Sequence, residues 1–217
     1  MSVERVIEIA RGELGYTENP PGSNRTKYGE AYGWNGVPWC VQFTWWCFRE
    51  AGEQQAFFGG EKTASCGTLL RWYQEQGQTV PIHDMRAGDI VILDFSGTRE
   101  TQHCGLVEHV AYSKEGKAQG FFTVEGNTCA KGAQDNGGIV LLKPRYLWQV
   151  VDVCRPRYKE EAMEPKTDYE GHWAEESIRK AISKNVMQGY EDGSWQPDKP
   201  MTRAELATIL DRLGVLG

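Results

Sequence analysis

No apolar run in the 217-residue sequence approaches the roughly 18 residues that a membrane-spanning helix needs. A bilayer partner of that kind is excluded. Basic residues are also in deficit. The 24 Lys and Arg face 30 Asp and Glu, giving a net charge of −6, with −4 in the first 164 residues and −2 in the rest. Neither part can cover a polyanion, so nucleic acid is not an expected partner. No Cys-x-x-Cys pair occurs among the cysteines at 40, 47, 66, 104, 129 and 154, which argues against a structural zinc site. Cys40 and Cys47, about 10 Å apart along one helix, cannot be bridged. Reduced thiols are expected, as in a cytoplasm. The first residues, Met-Ser-Val-Glu-Arg-Val-Ile-Glu, form no apolar h-region, so synthesis without a signal peptide is expected.

What the chain does have is 40% hydrophobic residues, enough for a packed core, together with 25 glycines and 8 tryptophans. The tryptophans suit a carbohydrate-facing surface or a core equally well. Val3, Val6, Ile7, Ala10 and Leu14 recur at helical spacing before Gly15. Residues 16–38, rich in Gly, Pro and Asn, read as one long functional loop. Pro38 opens a helix from Trp39 to about Glu50, and Ser65 caps another from Cys66 to about Gln76. The period then changes. Asp89–Phe95, Gly105–Tyr112, Phe121–Glu125, Ile139–Lys143 and Val150–Cys154 read as strands. Helices followed by strands predict an α+β domain with an antiparallel sheet over residues 1–155. A polar, aperiodic linker at 156–167 and a helix–loop–helix module at 168–217 follow, and no internal repeat is found.

Cys40, in Val-Pro-Trp-Cys-Val-Gln-Phe-Thr-Trp-Trp-Cys, falls at a predicted helix N-terminus. The helix dipole there favours thiolate, and free backbone N–H groups can hold an oxyanion. A buried small apolar residue is the competing reading. Only His83, His103, His109 and His172 could supply a base. His103 precedes a strand, where its ring can project from the sheet edge into a cleft. In an antiparallel pair the end of one strand lies beside the start of its neighbour, which brings Glu125 or Asn127 near His103. Either could orient the imidazole, although Gly126-Asn127 is also a common turn dipeptide.

Four segments in order now carry a resemblance over residues 3–155: Pro-Trp-Cys-Val-Gln-Phe-Thr-Trp-Trp-Cys, Ala-Gly-Asp-Ile-Val-Ile-Leu, His-Cys-Gly-Leu-Val-Glu and Val-Glu-Gly-Asn-Thr, with His103 63 positions after Cys40. The chain resembles the CHAP family of cysteine- and histidine-dependent amidohydrolases and peptidases. The resemblance implies a papain-like fold, with Cys40 as nucleophile, His103 as general base, Glu125 as orienting group and Asn127 assisting. The segment Glu-Asn-Pro-Pro-Gly-Ser-Asn-Arg-Thr-Lys-Tyr-Gly resembles the loop before the cysteine in phage-type members, so Asn24, Lys27 and Tyr28 would line the cleft. Tyr32, Trp34 and Trp39 are candidate sugar or peptide platforms, with a core role equally open for Trp39. Some relatives carry an Asp-rich calcium loop here. This loop has only Glu18 and Glu30, so no metal and no cofactor are expected.

In the tail, Thr202 and Glu205 make a capping box, which leaves Arg203 free to bind an anion. The segments Gly-His-Trp-Ala-Glu-Glu-Ser-Ile, Gly-Tyr-Glu-Asp-Gly-Ser-Trp-Gln-Pro and Met-Thr-Arg-Ala-Glu-Leu-Ala resemble an S-layer homology (SLH) motif. That implies binding to an anionic secondary cell-wall polysaccharide, with Arg203 pairing a ligand carboxylate and Trp173 beside the sugar. Asp192–Gly193 would shape the central loop. SLH motifs usually come in threes, and this chain has one. A module of about 45 residues buries little alone, so a homo-trimer through the motif, or packing on its own catalytic domain, is expected.

The leading expectation is a peptidoglycan hydrolase of the phage or prophage endolysin type. It would be an N-acetylmuramoyl-L-alanine amidase or a peptidoglycan endopeptidase, released through a separate membrane pore and of antimicrobial action. A host wall-remodelling hydrolase is the nearest alternative. A non-catalytic wall-binding or S-layer-associated protein with a decayed hydrolase domain is the alternative from another class. A zinc hydrolase would need a ligand cluster that the spacings do not supply.

Overall fold

The computed structural model describes residues 2–114, 118–130, 136–159, 168–184, 186–190 and 194–216. The chain divides into a unit of residues 1–159 and a unit of residues 160–217.

Four helices lead the first unit: α1 (Ser2–Gly12), α2 (Lys27–Tyr32), α3 (Cys40–Glu50) and α4 (Cys66–Glu75). The helix α2 corrects the expectation of an unbroken loop at 16–38. Thr26 caps it by accepting the Gly29 N–H at 3.0 Å, and Gly33, at φ 86°, ends it. Tyr28 and Tyr32, one turn apart, bury the inner face. Composition hid this short element because Gly, Pro and Asn dominate on both sides of it. The start of α4 is as expected, with Ser65 accepting the Thr68 N–H.

The strands are β1 (Thr79–Val80), β2 (Ile90–Leu93), β3 (His103–Tyr112), β4 (Ala118–Thr128), β5 (Ile139–Arg145) and β6 (Val150–Cys154). They form one sheet in the order β1-β6-β2-β3-β4-β5, and every pairing is antiparallel. Three strands run further than the pattern predicted: β3 starts at His103, β4 continues to Thr128 and β5 reaches Arg145. Pro144 is tolerated because β5 lies at the sheet edge. Along β2 the side chains alternate. Ile90 and Ile92 join the core shared with α3, and Val91 and Leu93 join a second cluster with Met85, Val107, Phe121, Val150 and Val153. Burial on both faces explains the uninterrupted Ile-Val-Ile-Leu run.

Residues 156–159, expected in the linker, belong to the first unit. Tyr158 stacks on Phe48 at 5.4 Å, its hydroxyl donates to the Gly88 carbonyl, and the Lys159 N–H donates to Glu53. The rest of the expected linker, 160–167, lies outside the described residues.

The second unit has two helices among its described residues, α5 (Glu175–Ser183) and α6 (Arg203–Arg212). The capping box forms as the sequence indicates: Glu205 N–H donates to Thr202 Oγ1 at 3.2 Å and Thr202 N–H to Glu205 Oε2 at 2.6 Å. Asp168 accepts the backbone N–H groups of Trp195 and Gln196. Asp192 and Gly193, expected to shape the central loop, lie outside the described residues. No helix among the described residues is long and apolar enough to cross a membrane.

The close seating of α3 on the sheet depends on Gly126. A Cβ there would lie 2.5 Å from Phe43 Cβ and 2.8 Å from the Trp39 ring. Gly126→Ala should therefore cost about 1–3 kcal/mol by overpacking. Urea denaturation checks this, and an unchanged midpoint would show that the seating is looser than drawn.

Candidate active site

Cys40 is the first residue of α3. The N-cap position belongs to Trp39, which offers no side-chain hydrogen bond to the helix end. The backbone N–H groups of the first turn thus keep no side-chain cap, and the positive end of the helix dipole faces the sulfur. The helix is fixed from behind. Phe43 and Phe48 sit in the core, Thr44 Oγ1 donates to the Cys40 carbonyl at 3.1 Å, and Gln42 Nε2 donates to the Trp34 carbonyl at 2.7 Å.

His103, the first residue of β3, has no exposed surface, and Cys40 keeps 6%. The register that pairs Leu106 with Val124 carries Glu125 toward His103. The His103 Nε2–Glu125 Oε2 distance is 3.1 Å. Nδ1 is the nitrogen left to serve the Cys40 sulfur. Burial alone would lower the imidazole's proton affinity. Its interactions with Cys40 and Glu125 outweigh burial and push the value up to about 10. Such a group stays protonated in the fold, and what it contributes is lost as pH rises through about 10.

Glu125 is fully buried. Arg145 grips its carboxylate with two donors, Nε to Oε1 at 2.7 Å and Nη2 to Oε2 at 2.5 Å, and Thr123 Oγ1 donates to Oε1 at 2.6 Å. Burial opposes the charge. The Arg145 and His103 hydrogen bonds overcome it and hold the carboxyl at about 2. Arg145 Cζ lies 4.6 Å from the centre of the Phe95 ring, which is 5.9 Å from that of His103. Gly105 makes room for Glu125, since a Cβ there would meet Glu125 Cγ at 2.9 Å.

Two further thiols converge on Cys40. The sulfurs of Cys40, Cys66 and Cys104 all lie within 4.8 Å of one another, with Cys40 and Cys66 3.8 Å apart. The hydrogen bonds of Cys104 and then Cys66, helped by His103, hold the Cys40 thiol well below its ordinary value against the effect of burial. Arg145 and this thiol pair escaped the sequence reading. Arg145 reaches Glu125 only through the pairing of β5 with β4. The thiols come from three separate elements, at no diagnostic spacing.

Cys40, His103 and Glu125 come together, and Asn127 does not join them. Its amide donates to Asn136 Oδ1 and accepts the Gly138 N–H, and its φ is 59°. Asn127 thus serves the irregularity in β4 between Glu125 and Thr128, and this corrects the expected assisting role. Tyr28 and Trp39 are also corrected as cleft residues, because both are fully buried. Tyr28 donates to Glu13 at 2.6 Å, and Trp39 Nε1 donates to Glu18 at 3.2 Å. Lys27 pairs with Glu13 at 2.6 Å. Glu18 is spent on Trp39 and on the backbone N–H of Asn24, itself half-buried at φ 54°. Trp34, 57% exposed, does line a groove with Tyr32, Pro38, Lys62, Thr63 and Ser65. Pro38 leads directly to Trp39-Cys40 and Ser65 to Cys66.

In the second unit Trp173 is 90% exposed, and Arg203 is exposed at the first position of α6. A cavity of about 300 Å³ there is lined by Tyr190, Trp195, Lys199, Thr208 and Arg212 among others. Neither Trp173 nor Arg203 forms part of its wall.

Against known proteins, residues 31–127 match the CHAP domain and residues 167–207 the S-layer homology domain. The chain is 43% identical over 49 residues to a cellulosome-anchoring protein of Acetivibrio thermocellus. It is 39% identical over 54 residues to cell surface glycoprotein 1 of the same organism. It is 42% identical over 43 residues to the outer membrane protein SlpA of Deinococcus radiodurans. These matches span 21%, 24% and 20% of this chain, and only 11%, 2% and 4% of those relatives' own lengths. A solved structure of the wild type endolysin LysIME-EF1 is similar at a TM-score of 0.43 and 17% identity, over 73% of this chain and 65% of that one.

Replacing Arg145 by Leu should leave Glu125 buried without its guanidinium, supported only by His103 and Thr123, at a cost of about 3 kcal/mol at neutral pH. The carboxylate's contribution is present above its unfolded value, about 4.3, and is normally lost only as pH falls through about 2. Without the guanidinium that loss should start at a higher pH. Weaker support for the imidazolium should likewise move the acid limit of Cys40 alkylation upward. Iodoacetamide rates and denaturation measured across pH check both, and unmoved limits would remove Arg145 from the relay.

Proposed function

We propose that this chain, carrying a CHAP domain and an SLH domain, is a peptidoglycan hydrolase. It cleaves an amide bond of the cell wall through Cys40 and is held at the wall by its C-terminal motif. The observation that carries this is the buried line Cys40–His103–Glu125 behind an uncapped helix N-terminus. The Cys40 thiolate attacks the amide carbonyl, and the backbone N–H groups of the first turn of α3 stabilise the oxyanion. His103 Nδ1 gives its proton to the leaving amine, and the amine departs. His103 then takes a proton from water, which hydrolyses the thioester and frees the thiolate. Glu125 stays ionised throughout and keeps Nε2 occupied, so that the second nitrogen serves the sulfur. The fold is papain-like in this functional sense, a cysteine helix packed on a histidine-bearing sheet. The groove walled by Tyr32 and Trp34 is the proposed substrate channel. Cys40, buried but for 6% of its surface, follows the groove's Pro38 by two residues, and the substrate enters from that side.

Arg203 supports the anchoring part. A cation at a helix N-terminus opposes the helix dipole, which a bound carboxylate of an acidic wall polysaccharide would offset. Only Ile178 is buried among the described residues of the second unit, and Ile182, Met201, Leu206, Leu213, Val215 and Leu216 are exposed. Three copies joined through this surface would cover it. A lysin of phage or prophage origin, delivered through a separate pore, fits this arrangement.

Cys40→Ala and His103→Ala should each abolish wall lysis, and iodoacetamide should block the parent chain through Cys40. Mass spectrometry of the digest then reports the bond. A freed lactyl group marks an amidase, and a new peptide amine marks an endopeptidase. Near-full lysis by either variant would sink the mechanism, and a chain with unreactive Cys40 that still binds walls would be the decayed, non-catalytic protein instead.

Arg203→Ala should weaken sedimentation with polysaccharide-bearing walls, by a margin that narrows as salt rises. Light scattering of the full chain should give a trimer. A monomer would overturn the trimer, and unchanged sedimentation would overturn the Arg203 role.

A further inference from the structure

We infer that Cys40, Cys66 and Cys104 form a binding site for a thiophilic cation of the Zn2+ type, whose occupancy caps the nucleophile. Two thiolates on a tetrahedral zinc, each bonded at about 2.3 Å, stand about 3.8 Å apart. The Cys40 and Cys66 sulfurs are already 3.8 Å apart, and Cys104 completes a trio within 4.8 Å. Little movement is needed to place three sulfurs around one ion. The three sulfurs come from α3, α4 and β3, and a fourth position on the ion is left for solvent.

The donor set selects the ion. Three sulfurs suit zinc or a softer cation and offer nothing to calcium or magnesium, which require oxygen. The site is reachable, because Cys40 and Cys66 keep 6% and 7% of their surface exposed while Cys104 closes the floor. The ion would bond the nucleophilic sulfur. Occupied protein would therefore be inactive, and chelation would restore it. The absence of a Cys-x-x-Cys pair does not bear on this site, whose ligands come from α3, α4 and β3.

The test is a Co2+ titration of the full chain, reduced with a phosphine, followed by Zn2+ competition. One equivalent of Co2+ should bring up thiolate charge-transfer absorption and tetrahedral visible bands, and Zn2+ should displace it. Wall lysis should fall with zinc and return with a chelator. Cys66→Ala and Cys104→Ala, each checked for folding by circular dichroism, should weaken binding by at least about 10-fold, since even loss of a ligand's supporting group costs that much. Absence of thiolate bands, or affinity within about twofold of the parent in whichever of these variants folds, overturns the site. The two readings fail separately. Bands without Cys40-dependent lysis leave the metal site standing, and Cys40-dependent lysis without bands leaves only the hydrolase.

Discussion

A carboxylate with no access to water lies between a guanidinium and an imidazole, and most of the first unit is arranged so that it can remain charged. Stripping Glu125 of water costs several kcal/mol. Arg145 answers with a two-pronged grip, Thr123 with a hydroxyl and His103 with Nε2. Each partner comes from a different strand or strand position, so the network exists only if β3, β4 and β5 pair in register. Gly105 is part of the same requirement, because any side chain there would occupy the space of the Glu125 stem. The imidazole is therefore positioned by the sheet before any substrate arrives.

The cysteine comes to that imidazole on a helix, and the two elements meet over Gly126. The charge on sulfur is favoured by the helix end and by the neighbouring Cys104 and Cys66 thiols. Thiol donors are weak, so a cluster of them makes a soft environment. It stabilises thiolate without a strong hydrogen bond that would blunt its attack. Softness has a second consequence: a site built from sulfur to favour an ionised sulfur also has the composition of a zinc site.

Legibility in the sequence followed how local the cause was. Helix starts at Cys40 and Cys66, the capping box at Thr202 and the strand runs are written in neighbouring residues, and they appear where the pattern placed them. Cys40, His103 and Glu125 could be found because each stands in a recognisable short segment. Arg145 could not, because only the lateral pairing of β5 with β4 gives it a role. Tyr28 and Trp39 misled for a related reason. An aromatic residue type suits a sugar platform and a core equally well, and here Glu13 and Glu18 satisfy their polar tips, which permits full burial. Asn127 read as a turn dipeptide or a catalytic helper, and it is neither: an irregularity inside β4 claims it.

The second unit is held together on different terms. With Ile178 its single buried residue among those described, hydrophobic burial contributes little. Its order comes from local devices instead: the Thr202–Glu205 box, the Asp168 clamp on Trp195 and Gln196, and the pairing of Arg179 with Glu175 along α5. Such devices contribute about 1 kcal/mol or less apiece, and they leave Leu206, Leu213 and Val215 facing water. A fold with so little margin gains stability from anything that binds only its folded form. On the proposed function, covering the apolar face and engaging the wall would therefore not be independent events. A second copy and a bound polymer would each favour the folded motif, so the proposed anchoring and association would draw on one folding equilibrium.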